Sequence, residues 1–290
     1  MCAQLKRPER IAVAAHPQMT SAAHLADEVL DFLADFDLEV VKGTLYEDAL
    51  RAHVTSGEVD LLIALGGDGT MLRAGHLCAP ENVPILGINL GGLGFLIEIQ
   101  HSEWKPSLER VLEGDFWLEK RMMLRAEHCR ENELLGTWHV LNECVIGRAE
   151  IVRPVHLTAE IDGQTLTTYV ADGLIVSTAT GSTAYALAAG GPILPPELRN
   201  ILLVPVAPHL SVDRAIVLHE GSEVHITVRT EHQASLSVDG QDPIAMLDRD
   251  TVRACASEHH VEFVRLQDPD YFYRNLTSRM NENPSVGASQ

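Results

Sequence analysis

Two glycine-rich segments of the 290-residue chain could bring backbone close to an anion. The first is Gly66-Gly67-Asp68-Gly69-Thr70, which follows the apolar run Val59–Leu65. Paired glycines let backbone N–H groups approach phosphate oxygens. Thr70 is placed to cap a following helix over residues 70–79, whose positive end also favours anions. Asp68 is out of place there, because a phosphate repels a carboxylate. It needs a task, such as taking a proton from an attacking hydroxyl or holding Mg²⁺. The same string also reads as a tight turn in which Asp68 caps its own backbone. The second segment is Gly87, Gly91, Gly92 and Gly94, followed by Phe95. Glycines alone favour a plain loop, while Phe95 is either core or a surface on which a base stacks.

Two further segments carry polar groups in apolar surroundings. Asn142-Glu143 lies inside the apolar stretch His139–Ile146. Neighbours on a strand face opposite ways, so one of the pair points inward and needs a partner. Together they can accept from vicinal ribose hydroxyls and read an adenine edge, or they mark a strand end at the surface. Asp172 through Pro192 reads as an apolar strand, then Ser177-Thr178-Ala179-Thr180-Gly181-Ser182-Thr183, then a helix through Ala189 ended by Gly190-Gly191-Pro192. Five hydroxyl residues in those seven positions exceed what capping needs, and the outline is a second strand-to-helix anion site. Val238-Asp239-Gly240-Gln241 is a hairpin turn, in which Gln241 matters only if the fold brings it to a site.

The elements that must position these residues follow from periodicity. Ile11–Ala15, Val59–Leu65 and Pro84–Ile88 are continuous apolar runs, and helical spacing of apolar residues follows an N-cap at Thr20 or Ser21. Apolar strands separated by helices imply βαβ units and a parallel sheet. After about residue 120 the pattern turns to period two, as in Val155, Leu157, Ala159 and Ile161 before Asp162-Gly163. That reads as antiparallel strands and tight hairpins. Asn281–Gln290 reads as a loose tail.

Composition limits the partners. The chain has 41 acidic and 22 basic residues, a net charge of −19. Such a field repels nucleic acid and anionic membranes. No apolar run approaches a membrane span and none fits a signal-peptide core, so a cytoplasmic location is expected. The five cysteines are scattered with no CxxC, which points to free thiols and gives zinc no support. The histidines form no HxxH or HExxH pattern, and His16, His76, His209 and His219 read as structural or exposed.

Taken together, GGDGT at 66–70, GINLGGLGFL at 87–96, Asn142-Glu143, DGLIVSTATGSTAYALAAGGP at 172–192 and VDGQ at 238–241 resemble the NAD kinase family, over about residues 10–270. GGDG alone is shared with lipid kinases and phosphofructokinases. TGSTAY preceded by Asn-Glu is specific. The resemblance implies an α/β N-terminal domain with a parallel sheet, of phosphofructokinase and diacylglycerol-kinase type, over residues 1–120, with 266–290 able to complete it. It implies a β-rich nucleotide-binding domain over 121–265, and a site between the two. It implies transfer of the ATP γ-phosphoryl group to the 2′-hydroxyl of the adenosine ribose of NAD, with Mg²⁺ accompanying ATP and a homodimer or homotetramer as the working form.

By the same resemblance Asp68 is the proton acceptor, Gly69 lies at the phosphates and Arg73 meets phosphate charge. Phe95 packs against adenosine, and Asn142 and Glu143 hold the nucleotide. Asp172, Thr183, Ala184, Tyr185, Ala186, Leu187 and Ala188 form the adenosine-binding stretch, while Arg153, Ala207 and Gln241 make weaker contacts. Ala179 stands where the family usually has Pro, and Val170 where many members have Arg or Lys. A lipid or sugar kinase sharing GGDG would lack TGSTAY, and a non-catalytic pyridine-nucleotide sensor would lack the carboxylate at position 68.

Overall fold

A computed structural model describes residues 6–92, 94–149, 153–209, 213–269, 271–274 and 276. The tail read at Asn281–Gln290 lies outside them. The chain divides into two compact units, residues 1–120 with 260–290 and residues 121–259. The return to the first unit therefore begins at His260, inside a strand and six residues before the 266 read from the sequence.

The first unit runs β1 (Arg10–Ala15), α1 (Thr20–Leu33), β2 (Glu39–Gly43), α2 (Asp48–Thr55), β3 (Leu61–Gly66), α3 (Asp68–Cys78), β4 (Ile85–Asn89), β5 (Ile99–Gln100) and α4 (Trp104–Leu112). Its sheet has the order β2-β1-β3-β4, with β5 beside β4, and every one of these pairs is parallel. Strands β1 and β3 are buried along nearly their whole length, as two-sided covering by helices requires. Their side chains meet Leu25, Val29 and Leu33 of α1 and Leu108 and Val111 of α4 in one core. The expected N-cap is displaced by one residue: Met19 holds that position without a side-chain bond, and Thr20 already opens α1.

The second unit takes up β6 (Trp117–Arg130) and continues with β7 (Glu133–Val140), β8 (Glu143–Arg148), β9 (Val155–Ile161), β10 (Gln164–Ala171), β11 (Gly173–Ser177), α5 (Tyr185–Ala188), β12 (Asn200–Val206), β13 (Ile216–His219), β14 (Val224–Arg229), β15 (Ala234–Val238), β16 (Ile244–Met246) and β17 (Thr251–Arg265). One sheet has the order β13-β12-β11-β8-β15-β16, antiparallel throughout. A second contains β10-β9-β14-β17, with β6 pairing β7 and β17. Ile146, Leu174, Leu203 and Leu236 of the one meet Leu157, Tyr169, Ile226 and Val252 of the other. Asp162 and Gly163 have φ of 51° and 75°, the paired positive values of a type I′ hairpin. The remaining length of β17, residues 260–265, belongs to the first unit, where Phe263 pairs in parallel with Ile85 of β4.

A buried carboxylate anchors the start of β17. Asp250 accepts Arg130 Nε and Nη2 at 2.8 Å each and the Leu247 N–H at 2.9 Å, and it lies 2.9 Å from His128 Nε2. Burial works to raise its pKa, but the bonds from Arg130, Leu247 and His128 outweigh burial and hold the carboxyl at about 2. A folded pKa below the unfolded value stabilises the fold above that value, and the stabilisation is lost as pH falls from about 4 to about 2. Asp250→Asn is expected to cost about 2 kcal/mol near neutral pH, because an amide offers one acceptor oxygen where the buried carboxylate offered two to Arg130 and Leu247. Urea unfolding at pH 7 and pH 3 should show a gap from wild type that narrows at the lower pH. A loss under about 1 kcal/mol at pH 7 would contradict this account of Asp250.

Candidate active site

Strand β3 delivers Gly66-Gly67 to the carboxyl edge of the parallel sheet, beside β1, where the strand order reverses. Open sheets bind ligands at such edges. Helix α3 begins at Asp68, two residues earlier than expected, and Gly67 holds the N-cap position in extended backbone. Thr70 is therefore not the cap. It is buried in the first turn, its Oγ1 has no hydrogen-bond partner, and a Cβ on Gly66 would overlap it. A carboxylate in the first turn is favoured by the helix dipole, which is one reason the helix starts at Asp68.

The Asp68 side chain does not cap its own backbone. Its Oδ2 accepts the Phe95 N–H at 2.7 Å and its Oδ1 the Leu96 N–H at 3.1 Å. A Cβ on Gly94 would overlap the Asp68 carboxylate, so only glycine permits this approach. The second glycine segment is thus a partner of the first. Asn89 folds that segment further, donating Nδ2 to Gly91 O and Gly92 O at 3.3 and 3.2 Å and accepting the Gly91 N–H at 3.1 Å. Phe95 is half-buried and Gly69 exposed. Arg73 donates to Gly69 O at 3.3 Å and lies over the Tyr46 ring at 5.6 Å, on the exposed side of α3.

Sequence reading missed the residue that holds this loop from behind. Arg265 is 2% exposed, donates Nη1 to Leu96 O at 2.9 Å and Nε to Glu119 Oε2 at 2.7 Å, and lies over the rings of Phe263 and Tyr271. Burial works to lower the guanidinium pKa, but Glu119, Tyr271 and Glu98 outweigh it and keep the group charged. Both backbone polar groups of Leu96 are therefore gripped, its N–H by Asp68 and its C=O by Arg265. The available signal was an arginine directly flanked by Phe263, Val264 and Leu266, since a buried arginine requires a partner.

In the second unit the turn between β7 and β8 carries Asn142 and Glu143. Asp239, passed over as a turn residue in the sequence, accepts the N–H groups of Leu141, Asn142 and Glu143 at 2.7, 2.7 and 3.0 Å. Thr178 donates to Leu141 O at 2.6 Å, and Ser177 donates to Asn142 O at 3.1 Å. Gly181 packs so closely on Asn142 O that a Cβ there would overlap it. The turn thus draws the TGST segment to the Asn-Glu pair.

The helix expected after Thr180 and through Ala189 forms, but it is shorter than read. The chain makes a 3₁₀ turn at Thr180–Thr183 and then only the four residues of α5. Ser182 and Thr183 hydroxyls donate to Ala179 O and Thr180 O at 2.6 and 3.2 Å, local bonds that compete with a regular helix. With four residues there is no helix dipole to speak of, so the second strand-to-helix anion site does not form. Thr183, Ala184 and Leu187 are half-buried, Ala186 is buried, and Tyr185 and Ala188 are exposed.

The backbone of Tyr185 donates to the Glu143 carboxylate, and Glu143 Oε2 is buried with no hydrogen-bond partner. Burial pushes this carboxyl up to about 8, Asp239 adds to the rise, and the Tyr185 N–H opposes it.

Other expected residues lie elsewhere in the unit. Asp172 precedes β11 at the end opposite Thr178, about 20 Å away at roughly 3.3 Å per residue. It pairs with Arg148 at 2.8 Å, and its N–H donates to Val206 O at 3.0 Å, next to Ala207. Ala207 is exposed with φ of 45°, an unusual value for alanine. Arg153 lines a pocket with His156, Arg229 and Asp248. Gln241 is exposed at the foot of β15, with its N–H on Val238 O at 2.9 Å.

Two outcomes follow. A carboxyl whose folded pKa exceeds its unfolded value costs the fold stability once pH passes the unfolded value, and the cost grows until the folded pKa is reached. Glu143→Gln is expected to stabilise the ligand-free protein by on the order of 2 kcal/mol at pH 8.5, and not at pH 4.5. Chemical denaturation at the two pH values checks it, and a pH-independent difference would rule it out. Arg265→Met combined with Glu119→Gln removes the grip on Leu96 without leaving a charge behind. Hydrogen exchange at the Phe95 and Leu96 amides should then accelerate more than exchange along β1, and equal acceleration would contradict a specific hold on the loop.

Comparison with known proteins identifies the family and the fold. Residues 46–116 match the family model for the ATP-NAD kinase N-terminal domain, and residues 141–266 match that for the ATP-NAD kinase C-terminal domain. An NAD kinase of Chloroflexus aurantiacus is 41% identical, covering 95% of this chain and 99% of that protein. One from Dehalococcoides mccartyi is 36% identical over 95% and 97%. Among solved structures, yeast NADH kinase complexed with NADH superposes with a TM-score of 0.83 at 24% identity, covering 98% of this chain and 90% of that one. An Archaeoglobus fulgidus NAD kinase in complex with ATP gives 0.76 at 24% identity, with coverage of 94% and 99%. The two domain matches and the near-full-length identity to bacterial relatives establish that the chain belongs to the NAD kinase family.

Proposed function

We propose that this protein transfers the γ-phosphoryl group of ATP to the 2′-hydroxyl of the adenosine ribose of NAD, giving NADP. The observation that carries the mechanism is the two-point hold on Asp68 at the edge of the parallel sheet. A carboxylate offers about four lone-pair positions, so each Asp68 oxygen can bond a loop N–H and still accept a hydroxyl proton. The 2′-hydroxyl is a poor nucleophile while protonated, and a fixed carboxylate takes its proton as the phosphoryl group arrives.

Gly69 and the first turn of α3 receive phosphate oxygens, and Arg73 adds positive charge one turn further on. Phe95 packs against the adenosine. Asn142 and Glu143 hold ribose hydroxyls and the adenine edge, supported by the buried, unpartnered Glu143 Oε2. Asp172 and the segment Thr183–Ala188 complete the adenosine contacts, and Arg153, Ala207 and Gln241 contribute weaker ones. A divalent cation enters with the ATP phosphates, and hard oxygen ligands make Mg²⁺ the ion of choice.

The exposed Tyr185 ring supports a homodimer or homotetramer, with that ring at a subunit contact. A cytoplasmic setting is supported by the four described cysteines, all free. Among the described residues no helix is long and apolar enough to cross a membrane.

The test is production of NADP from NAD and Mg-ATP by wild type and Asp68→Asn. Wild type should turn over, and the variant should lose at least about 10²-fold in kcat while nucleotide affinity stays within a few-fold. Normal turnover by the variant would remove Asp68 from the chemistry. A folded variant that binds neither nucleotide would make Asp68 an anchor rather than a base.

A further inference from the structure

Outside the residues assigned to nucleotide binding, His139 of β7 and Glu258 and His259 of β17 each bring one donor atom within 4.8 Å of the other two. Both strands pair with β6. Neighbours on a regular strand face opposite ways, yet Glu258 and His259 both reach His139. Ser257, which is buried, supports the group: its Oγ lies 2.8 Å from His139 Nδ1 and accepts the His259 N–H at 3.0 Å. The two imidazole rings meet edge-on with centroids 4.5 Å apart. The carboxylate is shared, with Oε1 3.8 Å from His259 Nε2 and Oε2 3.6 Å from Arg125 Nη1.

We propose that His139, Glu258 and His259 bind one borderline transition-metal dication, with Zn²⁺ as its best occupant. Imidazole with a single carboxylate suits Zn²⁺, Co²⁺ and Ni²⁺ and does not suit Mg²⁺ or Ca²⁺, which demand more oxygen ligands. Ser257 supplies the outer hydrogen bond that orients a ligating histidine. Zinc bonds of about 2.1 Å at tetrahedral angles place donors roughly 3.4 Å apart, so the three donors must close by about an ångström. Side-chain rotation at the exposed Glu258 gives that movement. Three protein ligands leave one position for water. Arg125 opposes a dication, but its charge is already matched by Glu127 Oε1 at 3.2 Å as well as by Glu258. A bound ion would tie β7 to β17 across β6.

The test is calorimetric titration of the metal-stripped full-length chain with ZnCl₂, beside His139→Ala, His259→Gln and a control, His219→Ala. Other histidines of the chain contribute weak background binding, so the reading is the difference between variants. One equivalent should vanish in His139→Ala and in His259→Gln and persist in His219→Ala. Co²⁺ should give a visible absorption band in wild type that both site variants lose, and MgCl₂ should not compete. Urea unfolding in EDTA confirms that each variant is folded. His259→Gln keeps the bulk of the side chain should His139→Ala fail to fold. Equal stoichiometry in wild type and the site variants, or displacement of Zn²⁺ by MgCl₂, would overturn the proposal.

Discussion

The contact between the Asp68 carboxylate and the N–H groups of Phe95 and Leu96 is the constraint around which the first unit's chemistry is organised. It explains three features that otherwise have no common cause. Gly94 is glycine because a Cβ would occupy the carboxylate's place. The helix opens at Asp68 because a charged first turn is both stabilised by the helix dipole and within reach of the loop. Arg265 is buried where the carbonyl of Leu96, the next peptide group along the loop, needs a donor. A free aspartate at a loop tip would sample several rotamers. This one is held at both oxygens by the loop, so the scaffold fixes its orientation in the ligand-free chain.

The second unit solves a related problem with the opposite electrostatics. Asp239 accepts three backbone N–H groups and is a satisfied carboxylate. Glu143, whose own N–H is one of those three, keeps one carboxyl oxygen buried and unpartnered. The well-bonded group holds the turn, and the poorly bonded one carries the cost of burial. Its pKa of about 8 means that the ligand-free protein carries it mostly protonated near neutral pH, as a donor as well as an acceptor. A site can tolerate such a cost because binding a polyhydroxylated ligand supplies the missing bonds.

What the sequence made legible was set by range. The buried strands read at Ile11–Ala15 and Val59–Leu65, and the Asp162-Gly163 hairpin, are written in local periodicity and turn chemistry; the strands form at Arg10–Ala15 and Leu61–Gly66, within two residues of the reading. The glycine strings and Asn142-Glu143 also stood out in the sequence, although a loop or a surface strand end would explain each of them taken alone. The errors were local competitions. Hydroxyl side chains that cap a helix also bond the preceding carbonyls, and around Thr180–Thr183 that second habit wins. Arg265 and Asp239 were not legible as site residues, since their partners lie 169 and 96–98 positions away. A buried charge announces that a partner exists but not which one.

The net charge of −19 turns these details into a requirement. A basic surface would attract nucleotide anions from a distance, but this chain has 41 acidic residues against 22 basic ones. Attraction has to be created within a few ångströms, below the screening length of about 8 Å. Backbone N–H groups at the end of a strand, one arginine on α3 and uncharged hydroxyls act at that range. They act only if held still, because a dipole's pull falls off faster with distance than a charge's. The buried Arg265–Glu119 pair therefore contributes little attraction of its own and much of the rigidity. In an acidic protein that must hold phosphate, the structure invests its buried charges in fixing backbone rather than in meeting the ligand.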